Sequence, residues 1–322
     1  MIRLLRAELT RFRSRRAIAL MALASFAVAA VLVGLVAWET RPLTASDRAD
    51  AVAQADLASR DPQTVAEVRS CERRPASYLG AGATASDCTA ALVRGSTSFL
   101  PRHALDVERV LDGRGVQLGL VVVGLMVVAG STFAGADWGT RALAQQLMFE
   151  PRRVRLWLAK ALAVTLGAGV VTALALGVFW TYVALLAGHR GITVPQAAID
   201  AAGWQSARTV ALGAAAALGA FAVTMALRHT VATLALLFVY AVGGEILVNL
   251  LPVDGAGRWA VGANTVAWIA RRHSYYDPTV SCSGPRCSPL QVLTHAQAGV
   301  FLLVLLVVVV VVSLLWFRRR DV

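Results

Sequence analysis

Side chains able to do chemistry are sparse in this sequence of 322 residues. Four cysteines stand at Cys71, Cys88, Cys282 and Cys287, and five histidines are scattered singly. One acid, Glu245, lies inside an apolar run, YAVGGEILVNL. The stretch GADWGTRALAQQLMFEPRRVRLWLAK, Gly135 to Lys160, carries both signs of charge between two greasy runs. No P-loop, H-E-x-x-H or G-x-S-x-G motif is present, so neither nucleotide hydrolysis nor nucleophilic or metal-assisted hydrolysis has its residues here. No catalytic residue, metal site or directly bound cofactor is expected. Energy for any work must come from elsewhere.

The cysteines point to structure. No histidine lies within either pair and neither has C-x₂-C spacing, which removes a zinc site. Four cysteines allow three pairings. Local bonds, Cys71 with Cys88 and Cys282 with Cys287, are expected because each pair shares one section; a bond between the two sections is the alternative. Three roles fit Glu245. A carboxylate in hydrocarbon is costly and seeks a cavity or partner, so it contacts substrate, makes a structural hydrogen bond, or hydrates near the interface, since Leu251 closes the run six residues later. Asn249 is interfacial on the same reasoning.

The elements that must position these residues are membrane helices. Hydrophobic residues make up 57%, charged residues 16%, and mean hydropathy is +0.63, against roughly 25% charged in a soluble domain. The net charge of +12 does not mark a nucleic-acid binder, because the basic residues bracket apolar runs instead of forming a stripe with aromatics. The expected fold is an all-α integral membrane bundle of six spans, with an N-terminal amphipathic interfacial helix, a short cytoplasmic helix and a small external domain. The first apolar run has 22 uncharged residues, too long for a signal-peptide core of about 7–15.

Residues 1–16 carry Arg3, Arg6, Arg11, Arg13, Arg15 and Arg16 against Glu8. Ile2, Leu5, Leu9 and Phe12 recur at helical spacing, so this segment reads as a basic helix on the membrane surface, its arginines anchored by lipid phosphates; the alternative is an unstructured basic flank. Spans are expected at 17–38, 115–136, 161–188, 207–227, 231–251 and 294–317. Residues 39–114, with ten Arg and eleven Asp or Glu, read as a partly helical external domain. Residues 189–206 form an external loop, 252–293 a second external section, and 318–322 a tail. Basic residues concentrate in 1–16, in 141–160, at Arg228 and at Arg318, Arg319 and Arg320. With six spans all four groups fall on one side, which makes both termini cytoplasmic.

Within the cytoplasmic section 137–160, residues Asp137 to Glu150 hold good helix formers, and Pro151 ends that helix. Leu143 and Leu147 share a face, with Gln146 and Glu150 as polar positions. Too short and polar to span, it either lies on the membrane or fits a groove on a cytoplasmic protein. Arg152, Arg153, Arg155 and Lys160 would anchor the next span at the headgroups.

A basic N-terminal helix, six spans and, after span 2, an acid followed by Gly-Thr and then Pro-Arg…Lys together resemble the ABC-2 type permeases of ABC transporters. The residues that carry the likeness are Asp137, Gly139, Thr140, Pro151, Arg152, Arg153 and Lys160. The resemblance implies a coupling helix between spans 2 and 3, with Asp137, Gly139, Thr140, Leu143, Gln146, Leu147, Glu150, Pro151 and Arg152 meeting a separate ATPase subunit. It also implies a second permease subunit, identical or different, and ATP and Mg acting through the partner ATPase. Export of a hydrophobic or amphipathic substrate (drug, lipid or peptide) across a bacterial cell membrane would follow. Members of that family often have glutamate where Asp137 stands, and many small ones lack so long a section between spans 1 and 2.

Two rivals share the composition. One is a non-transporting scaffold or sensor whose external domain binds a ligand. The other is a secondary transporter, disfavoured because inverted halves and broken spans are not apparent.

Overall fold

The computed structural model describes residues 2–250, 253–277, 279–280 and 288–319, with Asn249 described in its backbone alone. The chain divides into two units, Met1–Gly34 with Val107–Val322 and, separately, Leu35–Asp106. It opens with α1 (Ile2–Ser14) and α2 (Arg16–Glu39).

The Leu35–Asp106 unit is built from α3 (Ala45–Arg60), α4 (Pro62–Arg73), α5 (Pro75–Leu79) and α6 (Ala85–Leu92). Its helix starts are fixed by short polar residues. Thr44 and Asp47 form a capping box at α3, and Thr84 and Asp87 form one at α6. Each satisfies amide groups that the first helical turn leaves open. The Thr44 N–H and hydroxyl hold the Asp47 carboxyl below its ordinary range, with Arg102 adding to the effect. A disulfide joins Cys71 on α4 to Cys88 on α6, and both cysteines are fully buried. The local pairing expected of this pair is therefore present; Cys282 and Cys287 lie outside the described residues.

The other unit continues with α7 (Val107–Val110), a π-helical turn at Leu111–Gly115 and α8 (Val116–Gly139). The short α9 (Ala142–Phe149), α10 (Arg153–His189), α11 (Gln196–Leu227) and α12 (Thr230–Val239) follow. A second π turn at Tyr240–Gly244 leads to α13 (Glu245–Leu250), then α14 (Val261–Ala270), β1 (Arg272–Tyr276), β2 (Leu290–Thr294) and α15 (His295–Arg319). Among the described residues, six helices are long and apolar enough to cross a membrane: Arg16–Glu39, Val107–Gly139, Arg153–His189, Gln196–Leu227, Thr230–Val248 and His295–Arg319. At 1.5 Å per residue, the 37 residues of α10 run to roughly 55 Å, well beyond a hydrocarbon core of about 30 Å.

Several boundaries differ from the sequence reading for local reasons. The expected loop 189–206 is helical from Gln196, because Pro195 fixes the chain just before the first turn. Span 2 starts before Gly115 because the π turn carries Asp112 and Arg114 into the same helix. The 252–293 section contains an antiparallel hairpin, Arg272 opposite Thr294 through Tyr276 opposite Leu290, where no strand was expected. Asp277 anchors it: its carboxylate accepts from the Gly255 amide at 2.8 Å and from the Thr279 amide and hydroxyl at 3.1 and 2.7 Å. Between α11 and α12, Arg228 adopts left-handed φ of 59°, and the His229 Nδ1 accepts from the Ala232 amide at 3.2 Å.

Small residues share the buried faces with a few large ones, such as Trp157 and Phe179. On α10, Leu158, Leu162, Leu166, Val170 and Leu174 are exposed, while Ala163, Ala168, Thr172 and Ala175 are buried. This is the arrangement that lets membrane helices approach closely. Backbones come close where α8 crosses α11. A Cβ built on Gly130 would lie 2.1 Å from the Ala217 carbonyl oxygen, so only glycine fits there.

Candidate functional site

The chain holds one lysine, Lys160, and it is completely buried. It sits about two turns inside α10, not at a headgroup as its basic neighbours suggested. Its Nζ donates to Glu8 Oε2 at 2.9 Å and to Asp137 Oδ2 at 2.5 Å. Arg15 donates through one nitrogen to Asp137 Oδ1 and through another to the Phe133 carbonyl oxygen at 3.1 Å. Arg11 completes the set, donating to Glu8 Oε1 at 3.2 Å. Four oxygens of two buried carboxylates thus each meet a cation, which is the condition under which ions survive burial.

Four elements meet in this cluster: α1, the α1–α2 junction, the end of α8 and the start of α10. Aromatic packing fixes them. Phe12 meets Phe133 edge to face at 5.4 Å, and the Phe133 ring lies under Arg15 and Lys160 at 4.9 and 5.6 Å. A Cβ on Gly167 would strike the Phe12 ring, so glycine on α10 makes the seat for α1. Phe12 and Glu8 therefore turn into the bundle, and Arg15 with them. Arg3, Arg6, Arg11, Arg13 and Arg16 remain on the exposed side, while Arg15 is not a surface anchor.

Asp137 itself belongs to α8 and is 1% exposed, so it does not lie on the short helix or present itself to a partner. Gly139 ends α8, and Thr140 caps it, its hydroxyl bonded to the Ala136 carbonyl oxygen at 2.8 Å. Arg141 turns the chain with φ of 57°, and α9 follows. Leu143 is buried, and Gln146 is turned inward, its amide nitrogen and oxygen buried with no hydrogen-bond partner among the described residues. Leu147 is half-buried. The exposed face is instead Ala144, Gln145, Met148 and Phe149, with Met148 76% and Phe149 89% exposed. Glu150 caps the helix and is half-buried; Pro151 and Arg152 are exposed. Of the residues expected to meet a partner, Asp137 and Leu143 are buried, while Met148 and Phe149, not named from the sequence, are exposed.

Glu245 lies elsewhere, at the second π turn. It accepts from the Gly262 amide in the first turn of α14, where a carboxylate is favoured by the unpaired amides and the helix dipole. Of its three expected roles, the structural hydrogen bond is the one the geometry contains. Among the described residues no group of His, Cys, Asp or Glu is arranged to hold a metal ion.

Glu8 was missed as a site residue, and Lys160 was misplaced. Their signal was compositional: one lysine among 31 basic residues. A slim stem and a compact ammonium fit between two carboxylates where a planar guanidinium does not. Compared with protein-family models, with curated proteins and with solved structures, the chain matches none.

Proposed function

We propose that this multi-pass chain is the permease subunit of an ATP-driven transporter, resembling the ABC-2 type, and that it exports a hydrophobic or amphipathic substrate. The carrying observation is α9, a short helix between two membrane-crossing helices that holds Met148 and Phe149 almost fully exposed. Two large exposed apolar side chains on a short connecting helix, flanked by Arg141 and by Pro151 and Arg152, suit a groove on another protein.

The buried cluster supports this reading mechanically. Asp137 and Lys160 tie the last turn of α8 to the second turn of α10, on either side of α9. A push on α9 would reach both spans through these ions, and α1 through Glu8. For transport, such a push must bias two global states. In this reading both termini and α9 are cytoplasmic, a separate ATPase supplies ATP and Mg chemistry, and a second permease subunit completes the route in a bacterial cell membrane.

The test is co-purification from membranes under gentle extraction. The native chain is expected to bring down a nucleotide-hydrolysing subunit. Met148→Asp with Phe149→Asp is expected to lose at least about 30-fold of that recovery, corresponding to roughly 2 kcal/mol for a central anchor. Recovery of no nucleotide-binding partner with the native chain would overturn the proposal. It would favour the scaffold reading, to which the disulfide-closed Leu35–Asp106 unit gives its own support.

A further inference from the structure

About 30 Å along α8 from the charge cluster, at 1.5 Å per residue, a cavity of about 960 Å³ opens among α8, α11, α14 and the β-hairpin. It is at the large end of the range for small-molecule sites. Three guanidiniums line it, those of Arg208, Arg271 and Arg272. Two acids, Glu108 and Asp112, line it as well, leaving the arginines in excess. Arg208 is held in place, donating to the Ile269 carbonyl oxygen at 3.0 Å while its own carbonyl accepts from Trp268 Nε1 at 2.8 Å. Its Nε, however, is buried with no hydrogen-bond partner among the described residues. A buried donor of this kind calls for an acceptor. Arg271 lines the same cavity, so two guanidiniums bring like charge to one space, which an anion between them relieves.

The rest of the lining has an apolar wall, Val116, Val266 and Ala270, and polar positions at Gln205, His273, Ser274, Thr294 and His295. No Phe, Tyr or Trp lines the cavity, so a stacked base has no platform. An inorganic anion alone would leave most of the volume and all of this wall unused. We propose that the cavity binds a phosphorylated amphiphile, with its phosphate on Arg208 and Arg271 and its chain along Val116, Val266 and Ala270. Arginine suits this ligand because its fork meets two phosphate oxygens at once. The proposal concerns this chain alone and stands whether or not an ATPase docks on α9.

The experiment uses the full chain in nanodiscs of a neutral galactolipid, which carries no phosphate, with dodecyl phosphate, dodecyltrimethylammonium and inorganic phosphate as probes. Arg271→Asn and Arg272→Gln alter exposed side chains, and asparagine tolerates the left-handed backbone at 271, where φ is 73°. Dodecyl phosphate is expected to bind at least tenfold more weakly to the double variant, and equally well to an Arg318→Gln control. Inorganic phosphate is expected to bind far more weakly than dodecyl phosphate, and the cationic amphiphile not to depend on Arg271. A second arm adds phosphatidylglycerol to the discs and counts retained lipid by native mass spectrometry. Lipid retained by the native chain and lost in the double variant assigns a bilayer source. Dodecyl phosphate binding without such retention assigns a soluble amphiphile. Equal affinity of native and double variant for dodecyl phosphate, or equal affinity for inorganic and dodecyl phosphate, overturns the proposal.

Discussion

At the scale of single residues, Lys160 is the side chain on which most depends. Among the described residues it is the one cation that touches both Glu8 and Asp137. Lys160→Met would leave Glu8 with half-exposed Arg11 and Asp137 with Arg15, each short of a partner in a dry site. Removing one member of a buried ion set costs about 3–5 kcal/mol, so a large drop in thermal stability in detergent is expected, with α1 becoming open to protease. Lys160→Arg is expected to fail nearly as badly, since the planar fork must fit where no part of the side chain reaches solvent. Combining Lys160→Met with Glu8→Gln removes one stranded charge. The double variant should be more stable than the single change predicts by addition, which a double-mutant cycle would read directly.

At the scale of elements, the disulfide bears most clearly on a single pair of helices. Cys71 and Cys88 are 17 residues apart and join α4 to α6. Closing a loop of that size is worth about 3 kcal/mol, a large share of what a unit of this size can hold. Cys71→Ser in the full chain is therefore expected to expose the Leu35–Asp106 unit to limited proteolysis at temperatures where the native chain resists, while the long helices stay intact. A shared section and a short separation made this bond legible in the sequence. The six long apolar runs were legible for the same reason, since span length and polarity are local properties, and Pro151 marked the end of α9. What the sequence withheld was long-range. Glu8 and Lys160 are 152 positions apart, and no local pattern announces that pairing. The outward face of α9 was also hidden, because Leu143 and Phe149 are both apolar and only packing decides which turns inward. The hairpin escaped because its strands are short and Asp277, the residue that anchors it, bonds to Gly255 across 22 positions.

At the scale of the whole molecule, the six long apolar helices are joined by connections that must hold their shape in water, and that places one carboxylate in a sensitive position. Asp277 is 5% exposed and ties the turn near Gly255 to the end of β1. The Thr279 hydroxyl chiefly, with the Thr279 and Gly255 amides, holds its carboxyl below the ordinary aspartate range against the opposing effect of burial. A group with a depressed folded-state pKa stabilises the fold fully above its unfolded value, about 3.9. That contribution is lost as pH falls through the lower, folded value. At neutral pH the Asp277 hydrogen bonds are therefore complete, and acidification to about pH 5 should leave them so. As pH falls below the ordinary aspartate value and through the lower folded one, the carboxyl takes up its proton, the acceptor weakens, and the Gly255 and Thr279 amides should lose protection relative to their intrinsic exchange rates. Hydrogen exchange followed by mass spectrometry on peptides spanning 253–280 would measure this. Asp277→Asn keeps one acceptor oxygen but removes the ionisation. It should lower the protection factors at pH 7 to those of the acidified native chain and abolish this site's pH dependence. The Cys71–Cys88 unit supplies an internal reference. The Asp87 carboxyl there is also lowered, by the Thr84 amide and hydroxyl, so its capping box should loosen over the same acid range in both chains.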